Sequence, residues 1–360
     1  MAKIDKLLEI VKTAGASDLH LVAGSVPLVR LHGQLEKTRH RELSHTEVKQ
    51  LVYEILTDDQ IRHFEKTGDL DLAYGRDSLG RFRISIYMTQ AGVGTAVRII
   101  PEQPPDLLSL GFSEAVCKLV ENRSGLLLVT GPTNSGKTTT LAAMVDHINV
   151  NSSRHIVTLE DPIEYIHANK NSLISQRQVG LHSASFATGL RAALREDPDV
   201  ILVGEMRDLE TISLAMTAAE IGLLVMATLH TRSASATVDR IIEVFPVDQQ
   251  QQIRVMFADS IRGVLSQQLP RQADGQGRTA AYELMVRTTS IASMIREQKT
   301  HQIPTAIQTG RKQGMQLIDN HLQQLIEEGH ISPHEALKCA TDPKRFQEMV
   351  ARLHHQPAMV

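Results

Sequence analysis

The stretch Gly131-Pro132-Thr133-Asn134-Ser135-Gly136-Lys137-Thr138 fits the phosphate-binding pattern G-x-x-x-x-G-K-[ST] at every fixed position. The residues before it, Leu126-Leu127-Leu128-Val129-Thr130, form a short apolar run that reads as a buried parallel strand. The residues after it, 138–148, carry helical apolar spacing. Strand, glycine loop and helix are the context this loop needs. Gly131 and Gly136 let backbone N–H groups turn onto phosphate oxygens, and the helix start adds partial positive charge. Lys137 reaches the β- and γ-phosphates, and the Thr138 hydroxyl can ligate Mg²⁺. Pro132, Thr133, Asn134, Ser135 and Thr139 complete the cradle. With this context present, a plain Gly/Ser/Thr-rich surface loop is the weaker alternative. The expectation is a nucleoside triphosphate with Mg²⁺.

The same alternation continues downstream. Residues 155–159, 200–204 and 224–229 are short apolar strands separated by helical stretches. This predicts an α/β fold, a doubly wound parallel sheet with the loop at its carboxyl edge. Two acidic clusters follow strands of that sheet: Glu160-Asp161-Pro162-Ile163-Glu164, and Gly204-Glu205-Met206-Arg207-Asp208. Strand ends converge beside the loop, so these carboxylates can reach Mg²⁺ or orient the attacking water; Asp161 and Glu205 are metal candidates with Thr138. Acidic residues also favour helix starts for electrostatic reasons alone. Each cluster gains weight from standing after a complete loop. His230 ends the strand at 224–229, where it could sense a γ-phosphate, although a lone histidine is as readily structural.

Upstream, Ile4, Leu7, Leu8 and Val11 fall at i, i+3, i+4 and i+7, which predicts a helix ended by Ala14-Gly15-Ala16-Ser17. Residues 18–22 alternate as a strand, and 26–33 continue in that manner. Residues 43–56 read as a helix with Ser44 as N-cap and Glu47 as its capping-box partner. Residues 69–74 and 81–87 are strands joined by a polar turn around Asp77 and Gly80, with 97–100 as the last. Arg81 and Arg83 alternate with Phe82 and Ile84, so both project from one face. That face is either a plain solvated one or an arginine supply for a neighbour's phosphates.

Pro101-Glu102-Gln103-Pro104-Pro105 marks a semi-rigid linker. The expected organisation is an α+β domain at 1–100, a linker at 101–112, the nucleotide-binding core at 113–289 and a helical region at 290–360. In that last region residues 312–328 are amphipathic and Gly329 is a C′ stop. Ser332-Pro333-His334-Glu335 supplies N-cap, N1 proline and N3 glutamate.

The 360 residues are 42% hydrophobic and 22% charged, which suits real cores. A formal net charge of −3, 3% aromatics and no Trp argue against a nucleic-acid motor, so no nucleic-acid partner is expected. Cys117 and Cys339 form no C-x-x-C pair and suit a reducing compartment. The charged N-terminus lacks a signal core, and no apolar run approaches the roughly 18 residues of a membrane span. A cytoplasmic protein is expected, with membrane association only through partners.

Taken together, these residues resemble the type IV pilus retraction ATPases, the PilT family of the secretion ATPases. The resemblance runs from Ala16-Ser17-Asp18-Leu19-His20-Leu21 through the phosphate loop to Leu159-Glu160-Asp161-Pro162-Ile163-Glu164-Tyr165, the family's aspartate box. It continues through the Walker B region at 195–208, the histidine box Ala227-Thr228-Leu229-His230-Thr231, Ile307-Gln308-Thr309-Gly310 and Gly314-Met315-Gln316. It implies a PAS-like first domain, a RecA-like second domain and a ring of six copies on the cytoplasmic face of the inner membrane. ATP would sit between the two domains, with Arg81, Arg83 and Arg98 completing the site. The ring would turn an inner-membrane pilus platform protein and draw pilins back. The resemblance links Glu160 or Glu164 with the general base and Glu205 with the Mg²⁺ and water network.

The chain departs from the family pattern in three places. Leu223 follows Gly222 where a histidine is usual, and Asn134 stands where the loop has Gly. Ser290-Ile291-Ala292-Ser293-Met294-Ile295-Arg296-Glu297 replaces Ala-Ile-Arg-Asn-Leu-Ile-Arg-Glu, a signature linked to retraction. A main and an accessory retraction motor therefore both stay open. A pilus-assembly or type II secretion ATPase would carry a four-cysteine zinc insertion and a longer N-terminal region. A non-hydrolysing ring scaffold is the rival of another class.

Overall fold

The computed structural model describes residues 3–31, 34–76, 79–100, 103–275 and 277–355. Gly33, Asp77, Pro101 and Glu102, named above in a strand, a turn and the linker, lie outside them. The backbone divides between Gln103 and Pro104 into two compact units.

Unit 1 begins with α1 (Lys3–Thr13), β1 (Asp18–Val22), β2 (Leu28–Leu31) and β3 (Gln34–Lys37). It continues with α2 (His45–Tyr53), α3 (Asp58–Thr67), β4 (Asp69–Arg76), β5 (Gly80–Thr89) and β6 (Gly92–Ile100). The six strands form an antiparallel sheet in the order β3-β2-β1-β6-β5-β4. Alternation gives the sheet one apolar face: Leu19, Leu21, Phe82, Ile84 and Val97 share a core with Ile4 and Leu8 of α1, Val48 of α2 and Phe64 of α3. The expected Ser44–Glu47 capping box starts α2. The strand expected at 26–33 is shorter, because the chain reaches the sheet only after Pro27. Two elements had not been expected. Helix α3 is opened by a second capping box, Thr57 with Gln60. Strand β3 is an exposed edge with no side chain to bury, so it carries no alternation.

Unit 2 comprises α4 (Glu114–Val120), β7 (Gly125–Thr130), α5 (Lys137–Asn151), β8 (His155–Glu160), β9 (Leu173–Gln178) and α6 (Phe186–Ala193). It continues with β10 (Val200–Val203), α7 (Leu209–Glu220), β11 (Leu224–Leu229), α8 (Ala234–Glu243), α9 (Gln250–Ser260), β12 (Ile261–Gln268) and β13 (Ala281–Val286). The helices α10 (Thr289–Arg296), α11 (Ile303–Thr309), α12 (Ile318–Glu327), α13 (Pro333–Cys339) and α14 (Pro343–His355) complete it. The sheet runs β13-β12-β7-β11-β10-β8-β9. The four expected strands are its parallel centre, β7-β11-β10-β8. The all-parallel expectation needs one correction, since β13 pairs antiparallel with β12. Side chains alternate between two cores, one on each face: Leu126, Leu128, Ile201 and Val203 in one, Leu127, Val129, Val200 and Leu202 in the other.

The amphipathic run at 312–328 is not one helix. Gly314 sits at φ 81, and Gln316 pairs with Leu284 as an isolated bridge, so α12 starts only at Ile318. Ala281 of β13 lies in a core with Ile318, Leu322, Leu325 and Phe346, which makes the C-terminal helices part of unit 2.

Candidate nucleotide site

The loop connects β7 to α5 at the carboxyl edge of the parallel sheet. Gly131 has φ 145, and a Cβ there would stand 2.3 Å from the Gln267 carbonyl oxygen and 2.5 Å from Ser135 Oγ. Gly136 has φ 88 and caps α5. Asn134, the departure from the family loop, takes φ 63, the left-handed region that asparagine tolerates best after glycine. Residue 134 thus takes a conformation that glycine and asparagine both tolerate. Lys137 Nζ donates to the carbonyls of Gly131 (2.9 Å) and Pro132 (2.8 Å). Burial pulls its pKa down, against the opposing pull of Glu205. Ser135 Oγ is buried without a hydrogen-bond partner. Thr138, at the start of α5, is exposed. Thr139 Oγ1 lies 3.2 Å from the Tyr165 hydroxyl.

Strand order places the remaining groups. Next to β7 comes β11, then β10, then β8, so His230, Glu205 and Glu160 follow one another along the same edge. His230 Nε2 stands 3.1 Å from Glu205 Oε1, and Arg207 Nη2 donates to Glu205 Oε2 at 2.7 Å. Partial burial pushes the Glu205 carboxyl up. The Arg207 hydrogen bond and charge, with His230 and Lys137, outweigh that and hold it below the usual range. Glu160 is 9% exposed and accepts from Thr158 Oγ1 (2.7 Å) and Gln176 Nε2 (3.0 Å). Burial raises its pKa more than those bonds lower it. Glu164 is half-buried and Asp161 is exposed on the segment that leaves β8. Among the described residues no group of three or more His, Cys, Asp or Glu is placed to hold a metal alone.

The fold therefore brings the loop, Glu160, Glu205 and His230 to one edge. Arg81, Arg83 and Arg98 belong to unit 1. There Arg83 stands directly opposite Arg98 across β5 and β6, so the three share a face. Leu223, where the family has a histidine, precedes β11 and packs against the core. It lies at the opposite end of that strand from His230, roughly 20 Å along it at ~3.3 Å per residue. Ala292, in the altered signature, is 1% exposed and is a core residue where the family pattern has arginine.

Sequence reasoning missed three contributors. Arg207 clasps Glu205, and its signal was its place two residues on. Ser266 and Gln267 of β12 buttress the loop: Thr130 Oγ1 lies 2.8 Å from Ser266 Oγ, and Thr140 Oγ1 donates to Gln267 Oε1 at 2.8 Å. Their signal was a polar ending to an apolar strand.

Comparison with known proteins agrees with this fold. A model described as "Type II/IV secretion system protein" matches residues 1–347. The chain belongs to that family. It is 44% identical over 343 residues, 95% of this chain and 99% of the relative, to the type IV pilus retraction ATPase PilT of Pseudomonas aeruginosa. It is 43% identical to a twitching motility protein of Neisseria gonorrhoeae, covering 89% of this chain and 85% of the relative. Its fold matches a crystal structure of the pilus retraction motor PilT with bound ADP. The TM-score is 0.86 and the identity 42%, over 95% of this chain and 99% of that one.

Proposed function

We propose that this chain is an ATP-hydrolysing motor that powers type IV pilus retraction and so twitching motility. The observation that carries the reading is a complete phosphate loop sharing one sheet edge with Glu205, His230 and the 160–164 segment. Its similarity to a retraction ATPase over 95% of its length supports the choice of motor.

The loop suits a polyphosphate. Its two glycines leave no room for side chains, Ser135 Oγ lacks a partner, and Lys137 can exchange two loop carbonyls for phosphate oxygens. Mg²⁺ would be held through Thr138 and Glu205, with Asp161 nearby, alongside the phosphates; such sites use one or two protein ligands. When bound it would neutralise phosphate charge. Glu164 is the better general base, because the Glu160 carboxyl is buried and occupied by Thr158 and Gln176. A carboxylate on the half-exposed segment can take a proton from water. His230, paired with Glu205, would report the γ-phosphate. Arg81, Arg83 and Arg98 would stabilise the transferring charge from another copy in a ring of six, which works against the inner-membrane pilus platform from the cytoplasmic side. No helix among the described residues is long and apolar enough to cross a membrane, so attachment would come through partners.

A second reading, an accessory retraction motor, is favoured by the altered signature around Ala292. In cells deprived of their retraction ATPase, this chain should restore twitching and its Lys137→Ala variant should not. ATP turnover by the purified chain without restored twitching selects the accessory reading. No turnover at all selects a ring scaffold.

A further inference from the structure

The face of the unit 1 sheet opposite its core carries a straight row of charge. Asp18 on β1 is the register partner of Arg30 on β2 and of Arg98 on β6, and Arg98 is the partner of Arg83 on β5. Direct partners project to the same side. Arg30, Asp18, Arg98 and Arg83 therefore cross four strands in line, with Arg81 two residues further along β5.

Asp18 meets the Nε of both neighbouring arginines, each with a different carboxylate oxygen. Arg98 Nε donates to Asp18 Oδ1 at 3.1 Å, and Arg30 Nε lies 3.6 Å from Asp18 Oδ2. The carboxylate is itself held, accepting from Ser17 Oγ at 2.8 Å. Its side chain is 12% exposed, whereas that of Arg98 is 54% exposed. Among the described residues the Nη atoms of Arg98 have no other partner, and Arg81 and Arg83 have no ion pair. His20, on the same face two residues from Asp18, has its pKa lowered by burial, so it adds no charge at neutral pH.

A guanidinium held at Nε keeps its plane fixed and presents two parallel amino groups, the fork that fits phosphate oxygens. We propose that Asp18 is a positioning residue, which fixes Arg98 by Nε so that its amino groups meet the phosphates of a nucleotide bound by another copy of the chain. This rests on the reading that the arginine face completes the ATP site. A lysine at 98 would keep the charge and lose both the grip and the fork.

The test is a double-mutant cycle on ATP turnover by the assembled protein, with KM and thermal melting measured in parallel. Asp18→Asn should lower kcat by about 10- to 100-fold, the range that misplacement of a catalytic group produces, with KM for ATP little changed. Arg98→Ala should lower it at least as far, and Asp18→Asn should add nothing in the Arg98→Ala background. Independent, multiplying effects would overturn the proposal, as would parental turnover in Asp18→Asn. Should Asp18→Asn fail to fold, Arg98→Lys decides: impairment close to that of Arg98→Ala supports the proposal, and parental turnover overturns it. Parental turnover in Arg98→Ala would instead remove the underlying reading of this arginine.

Discussion

In the sheet of unit 1 buried and partly exposed residues alternate along β5, whereas β7 and β11 of unit 2 are buried at all six positions. One face of the antiparallel sheet packs against the helices of unit 1, and its functional candidates, Asp18 and the arginines, stand on the opposite face. The parallel sheet has helices against both faces, so its candidates stand at strand ends: the loop after β7, Glu160 closing β8, Glu205 after β10 and His230 after β11. In the first case neighbouring residues of one strand have opposite duties. In the second, duty changes only where the strand stops.

The largest expected effect would break the comparison at the face. An arginine supplied from another copy can be worth about 10³–10⁵ in turnover. Arg81→Ala/Arg83→Ala should lose activity on that scale without losing its fold. Mixing it with inactive Lys137→Ala subunits should restore part of the activity, provided the subunits exchange. Mixed rings as inactive as either parent would remove the arginines from the site. The adjacent Ile84→Ala should do the reverse, costing about 2–5 kcal/mol of unit 1 stability, because Ile84 is fully buried in the core.

A smaller effect tests the strand ends. Glu205→Gln and Glu164→Gln should each lower kcat by about 10²–10⁴ with ATP binding retained, the usual worth of a positioned acid or base. Normal hydrolysis by both variants would leave this edge without its proposed chemistry.

The smallest concerns Glu160. Its folded pKa is raised by burial, so the stability it contributes is present below its unfolded pKa and is lost as pH rises through the folded value. Glu160→Gln, which cannot ionise, should therefore melt progressively higher than the parent, in nucleotide-free protein, as pH is raised. A constant gap across pH would mean that Glu160 is not perturbed.

Legibility in the sequence followed the same division. The four central strands were readable because burial on both faces demands continuous apolar runs, as in Leu126–Val129. The loop was readable because its backbone path admits few residues at 131 and 136. β9 and β12 were not, because Gln176 is turned to Glu160 and Gln267 to Thr140, which breaks the apolar signal with polar groups that serve the site. β3 was silent for the opposite reason, having no core contact. Asn134 and Ala292 looked like defects in a pattern. Their backbone angle and burial give them physical meanings that composition does not carry.

The pairing of Leu126 with Ile261 also sets a timetable for manufacture of the chain. A ribosome that adds ~5–20 residues per second needs roughly 7–27 seconds to travel between those two positions. All strands of unit 1 have been made before β7 appears. β7 must then wait, both flanks unpaired until β11 is made and one until β12 arrives with Gln267 to brace the loop. A nascent chain halted before residue 261 would thus carry the whole phosphate-binding motif without the strand that supports it.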